Sequence, residues 1–268
     1  MQTNTLCESL EQRRLLSVSL SDGILLVQGT SADDRVNVYR TVDDIVVNLN
    51  GSEKRYPANQ VGGLLVDTGL AADEIVLSRT LQIRSQLKGG RGNDSISGGD
   101  NRDVIYGEGG DDYIYGGGGN DVLDPGGEED TVLGGSGNKD LVDYSWRTGD
   151  LHVDISTEDH DDGESGEHDS VLTDVEVVLG GAGDDELLDA SGKSTTLVGG
   201  SGDDTLTGGA GRNVFDGGSG NDLADGFGND DVFWFEDGQG DTIHGGSGND
   251  AADVDNLIDV ATGIERNL

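Results

Sequence analysis

Gly89-Gly90-Arg91-Gly92-Asn93-Asp94-Ser95-Ile96-Ser97 is the clearest copy of a nine-residue pattern, Gly-Gly-x-Gly-x-Asp-x-apolar-x, that recurs along the chain. Five further slots follow without a gap, starting at Gly98, Gly107, Gly116, Pro125 and Gly134. A second array begins at Gly180, with later slots at Asp189, Gly199, Gly208, Gly217, Gly226, Phe235 and Gly245; those at Asp189 and Phe235 hold ten residues. Internal repetition of this kind means a stack of small units, each burying its apolar face only against its neighbours. Nine residues divide into a six-residue turn and a three-residue strand whose apolar eighth position points inward. Two such units close one coil, so equivalent turns stack every 18 residues, about 4.8 Å apart in the sheet direction.

The expected fold is therefore all-β, a parallel β-roll. Its inward ladder reads Ile96, Ile105, Ile114, Leu123, Val132 and Leu141, then Leu187, Leu206, Phe215, Phe233 and Ile243. Ala224 and Ala252 fill their positions poorly, with Leu223 as a candidate substitute for the first. The glycines suit turn angles that a Cβ resists and let carbonyls converge. The sixth-position aspartate adds a hard carboxylate oxygen. Calcium takes six to eight oxygens from carboxylates and carbonyls alike. One turn offers too few, whereas two stacked turns offer enough. The spacing pairs Asp94 with Asp112, Asp103 with Asp121 and Asp204 with Asp222; across the ten-residue slot it becomes 19, pairing Asp222 with Asp241 and Asp231 with Asp250.

Composition agrees. The 268 residues include 47 glycines, 2 prolines and 54 acidic against 16 basic residues, a formal charge of −38. Such a chain repels nucleic acid and anionic lipid. Without metal, charge this high at modest hydrophobicity favours disorder. The single Cys7 permits no internal disulfide, which leaves metal as the staple. No apolar run approaches the ~18 residues of a membrane helix.

The remaining organisation is less regular. Residues 1–17 form a separate, helix-compatible segment, whose core Cys7-Glu8-Ser9-Leu10-Glu11-Gln12-Arg13-Arg14-Leu15-Leu16-Ser17 resembles the bacterial LEPR-x-LL sorting signature with Gln12 in place of proline. That resemblance implies export or surface targeting. Residues 18–88 read as short strands, Gly23–Gly29, Arg35–Tyr39, Asp44–Leu49, Gly63–Asp67 and Glu74–Leu77. Ser31–Val36 matches Ala71–Val76 at an offset of 40, as degenerate repeats. The first array spans 89–142, an acidic insertion 143–179, the second array 180–253 and a cap 254–268. The insertion gathers His160 and His168 among carboxylates and reads as a solvated acidic loop rather than a transition-metal site. In Phe233-Trp234-Phe235 the phenylalanines face the core, leaving Trp234 exposed.

The arrays resemble the RTX, or haemolysin-type, calcium-binding repeat family, closely over 89–253 and loosely over 18–88. The resemblance implies a right-handed parallel β-roll, calcium-driven folding and an extracellular setting, secreted or cell-surface. It implies ligands at Asp94, Asp103, Asp112, Asp121, Asp130, Asp185, Asp204, Asp222, Asp231, Asp241 and Asp250. Carbonyls of the turns containing Gly90, Gly92, Gly110, Gly119, Gly202 and Gly220 complete them. Lys139 in the aspartate position of its slot makes a site with Asp121 doubtful, and Asn213 is a neutral substitute. About six strong calcium sites are expected. Paired carboxylates are too abundant to mark a catalytic pair, and residues 18–88 carry no nucleophile or zinc motif, so no enzyme is expected. The alternative is a calcium-scaffolded adhesion or structural protein that contacts cells or polysaccharide.

Overall fold

In the computed structural model, residues 16–156, 161–255 and 258–267 are described. The N-terminal segment up to residue 15, with the sorting-signature resemblance, and His160 lie outside them. The nine-residue periodicity produces a β-solenoid with one continuous 13-stranded sheet facing two shorter sheets, of eight and seven strands. Within the arrays every strand pair is parallel. Val104 pairs with Val122 and Tyr113 with Thr131, offsets of 18. Leu223 pairs with Thr242 and Val232 with Ala251, offsets of 19 across the ten-residue slot at Phe235.

Alternation places one residue per strand in the core. Ile96, Ile105, Ile114, Leu123, Val132, Leu187, Leu206, Phe215, Phe233 and Ile243 are fully buried. The ladder is corrected at one rung. Leu123 pairs with Val142, not Leu141, because the Gly134 slot also holds ten residues. Val142 is buried and Leu141 only half-buried. Leu223 is exposed and does not substitute for the buried Ala224. The bulk comes instead from Phe215 and Phe233, neighbours in the long sheet whose rings stack at 4.8 Å. Phe235 is buried beside Phe233, and Trp234 faces out.

The N-terminal portion caps the stack with antiparallel pairs. Ser17–Ser21 pairs with Ile24–Gln28, and Arg35–Arg40, Asp44–Leu49 and Ser52–Pro57 form a meander at one sheet edge. The likeness between Ser31–Val36 and Ala71–Val76 is real but shifted. Arg35 pairs with Glu74 and Val36 with Ile75, an offset of 39 rather than 40. A one-residue slip exchanges the two faces of a strand, and the observed register buries both Val36 and Ile75.

The described residues of the acidic insertion are built into the sheets rather than forming a solvated loop. Leu151–Asp154 and Gly163–Glu164 start the seven-stranded sheet, while Ser170–Val171 ends the eight-stranded one. The Asp162 carboxylate spans the break, its Oδ1 accepting from Asp154 N–H at 2.6 Å and its Oδ2 from Val171 N–H at 2.8 Å. Asp162, Asp169 and Tyr144 are all buried.

Candidate metal centres

Each coil has two turns, so the carboxylates form two rows. Where the chain leaves the long sheet, the amide of each row residue donates to an Oδ1 in the next coil. Asp34 donates to Asp73 at 2.6 Å, Asp73 to Asp94 at 2.7 Å, Asp94 to Asp112 and Asp112 to Asp130 at 2.8 Å, and Asp130 to Asp169 at 2.9 Å. The row resumes at Leu151, which donates to Asp185 at 2.9 Å, and continues through Asp204, Asp222, Asp241 and Asp259. On the returning side Ser85 donates to Asp103, Asp103 to Asp121, Asp121 to Asp140 and Asp140 to Glu176. That row then runs Thr195, Asn213, Asp231, Asp250 and Glu265. The pairings expected at 18 and 19 residues are thus neighbours in space.

Asp140 corrects the expectation at Lys139. The ten-residue slot moves the exposed Lys139 off the row and seats Asp140 on Asp121 at 2.9 Å. Asp34, Asp73, Asp169, Glu176, Asp259 and Glu265 also join the rows, although no glycine pattern marks them. The available signal was acidic residues directly before short apolar strands.

The second oxygen of these carboxylates carries the chemistry. Among the described residues, Oδ2 of Asp73, Asp94, Asp112, Asp121, Asp130, Asp140, Asp204, Asp222, Asp231, Asp241 and Asp250 is buried with no hydrogen-bond partner. An orphaned buried acceptor costs about 1–3 kcal/mol, and more when charged. Burial therefore pushes the carboxyls up: Asp94, Asp222 and Asp241 to about 6, Asp112, Asp121, Asp204 and Asp231 to about 7, and Asp130 to about 9. Asp103 and Asp185 differ. Their Oδ2 atoms accept from Gly99 and Gly181 N–H, both at 2.7 Å.

Glycine makes room for these oxygens. A Cβ on Gly107, first in its turn, would collide with both Asp112 Oδ2 and the Pro125 carbonyl of the next coil. Gly220, fourth in its turn with φ of +150°, would drive a Cβ into the Gly202 carbonyl. The same column places Gly92 over the Ala71 carbonyl, Gly110 over Gly92 and Gly202 over Gly183; Gly90 lies over Gly69, and Gly119 against Asn101. Carboxylate oxygens and stacked carbonyls converge in these cradles, a hard oxygen donor set that fits calcium. No three His, Cys, Asp or Glu side chains converge on a metal among the described residues, so main-chain oxygens must contribute. His152 sits 3.0 Å from Glu186 and 3.9 Å from Asp161. That is a hydrogen-bonded pair with a distant carboxylate.

Residues 88–123, 112–138, 189–224, 208–240 and 238–256 match the family described as the RTX calcium-binding nonapeptide repeat (4 copies). No curated protein matches the chain.

Proposed function

Because residues 88–138 and 189–256 match the RTX calcium-binding nonapeptide repeat, we propose that the two carboxylate rows hold several calcium ions and that these ions couple folding to export. The repeats bind calcium, and the orphaned Oδ2 atoms support the assignment of that binding to particular oxygens. The ligands are Asp94, Asp112, Asp121, Asp130, Asp204, Asp222, Asp231, Asp241 and Asp250, joined by Asp73 and Asp140, with carbonyls of the glycine turns. Asp103 and Asp185 contribute Oδ1 at most. A divalent ion between stacked turns removes carboxylate repulsion and ties one coil to the next.

At micromolar or lower calcium, as in a cytosol, the charge of −38 keeps the chain loose. In an extracellular medium near millimolar calcium, sites with Kd of about 10⁻⁴–10⁻³ M fill and favour the roll. The role is one of binding rather than catalysis. Calcium titration by calorimetry, followed by far-ultraviolet circular dichroism, tests this reading. Equal β content and equal melting temperature in excess chelator and in millimolar calcium would overturn it.

A second reading makes the roll a scaffold for adhesion. Trp234, on the outer face of the long sheet, and Phe227, held at φ of +60° on a turn, are both exposed. Calcium-dependent pull-down of polysaccharide that is lost in Trp234→Ala supports this reading, and retention in that variant removes Trp234 from it.

A further inference from the structure

We infer that the guanidinium of Arg147 takes the place of the metal ion at the joint between the two arrays. The inference rests on calcium occupying the stacked turns elsewhere. Residues 144–151 form the turn that continues the outgoing row. In it Arg147 aligns with the second turn position and Gly149 with the fourth, because a Cβ on Gly181 would meet the Arg147 carbonyl and one on Gly183 the Gly149 carbonyl. The aspartate position falls to the apolar Leu151, which supplies only its amide, to Asp185. This turn thus lacks the carboxylate that its neighbours present.

It supplies a cation instead. Arg147 is buried, and its side chain reaches into the adjoining coil. There Nη2 donates to the carbonyl of Gly126, second in the 125–130 turn, and Nη1 lies 2.6 Å from Glu167. The same coil receives Asp169, whose Oδ1 accepts from Asp130 N–H at 2.9 Å and whose Oδ2 accepts from the Tyr144 hydroxyl at 2.9 Å. One turn carbonyl and nearby carboxylates therefore surround a fixed positive charge. A guanidinium has five donors and remains charged at all relevant pH values; here it donates to the Gly126 carbonyl and to Glu167, while its Nε and Asp130 Oδ2 stay without a partner. The rings of Trp146, 4.4 Å away, and Tyr144, 5.8 Å away, brace it.

The consequence is a joint closed without calcium, between arrays that need it. Arg147→Met keeps much of the stem but removes the charge, leaving the Gly126 carbonyl, Glu167 and the unpartnered Oδ2 of Asp130 as oxygen donors for one more ion. Bound calcium per chain is counted by equilibrium dialysis for wild type, Arg147→Met and Arg147→Lys, each checked by circular dichroism in millimolar calcium. The expected result is one ion more in Arg147→Met and an unchanged count in Arg147→Lys. Terbium supplies a second readout. An ion in the vacated place lies near Trp146, so Arg147→Met gains tryptophan-sensitised emission that Arg147→Met/Trp146→Phe lacks. Equal counts in folded wild type and Arg147→Met, without new Trp146-dependent emission, overturn the inference. If Arg147→Met does not fold in calcium, the milder Glu167→Gln decides: loss of melting temperature that extra calcium does not restore supports the fixed charge, and no loss overturns it. Absence of calcium from wild type would instead sink the reading of the turns themselves.

Discussion

Acid should stabilise the calcium-free roll, the reverse of ordinary acid denaturation. Burial raises Asp112 and Asp204, one in each array, from 3.8 to about 7. The folded chain then keeps protons that the unfolded chain releases near pH 4. Between those values the folded state binds more protons, so its stability falls as pH rises. The contribution is complete below about pH 4 and is lost as pH passes through 7. For one such carboxyl, moving from pH 7.5 to 5.5 recovers up to about 2 kcal/mol. Neighbours in a row share their protons, so only one group per array is counted, giving about 4 kcal/mol. For a chain of this size that is a rise of about 10 °C in melting temperature. Exposed pairs such as Lys88–Glu108 and Arg35–Glu74 weaken in acid but contribute little. The assay is thermal circular dichroism in chelator-treated buffer at pH 7.5, 6.5 and 5.5. If the chain is unfolded at pH 7.5, β signal should appear by pH 5.5. At saturating calcium the trend reverses, because protons compete for the same oxygens. A calcium-free melting temperature that is flat or falls on acidification would rule out this proton linkage.

Asp112→Ala should remove two calcium ions per chain, those between its turn and the turns of Asp94 and Asp130, as counted by calorimetry; an unchanged stoichiometry contradicts the 18-residue pairing. Asp140→Ala should lower the melting temperature in calcium, because the Asp121 amide loses its acceptor and an orphaned group costs about 1–3 kcal/mol. Lys139→Ala should stay within about 0.5 kcal/mol, and a larger loss there than at Asp140 would restore the nine-residue register. Phe233→Ala should cost about 3–5 kcal/mol in calcium, read by denaturant unfolding, since its buried ring stacks on Phe215 and its strand neighbour on the other side is the small Ala252.

The parts of the fold that were legible in the sequence are those where one residue type does one job. A buried Ile every ninth position and an Asp two residues before it fix face and register together, so the rows around Asp94–Asp112 and Asp204–Asp222 could be placed without coordinates. The slips have a common origin. At Lys139 and Ser31–Val36 two acidic or polar residues compete for the same row position, and sequence alone does not say which amide meets which carboxylate. The structure decides by burial. Val142 and Val36 enter the core, and Asp140 and Asp34 are carried onto the row beside them. The joint was opaque for a different reason. Its carboxylates come from Glu167 and Asp169, about 20 residues beyond the arginine they face, so no local period could reveal it. Sequence reading sees a cation site when the ligands repeat. When the chain supplies the cation itself, the repeat is broken, and the missing aspartate at Leu151 was the one trace of it.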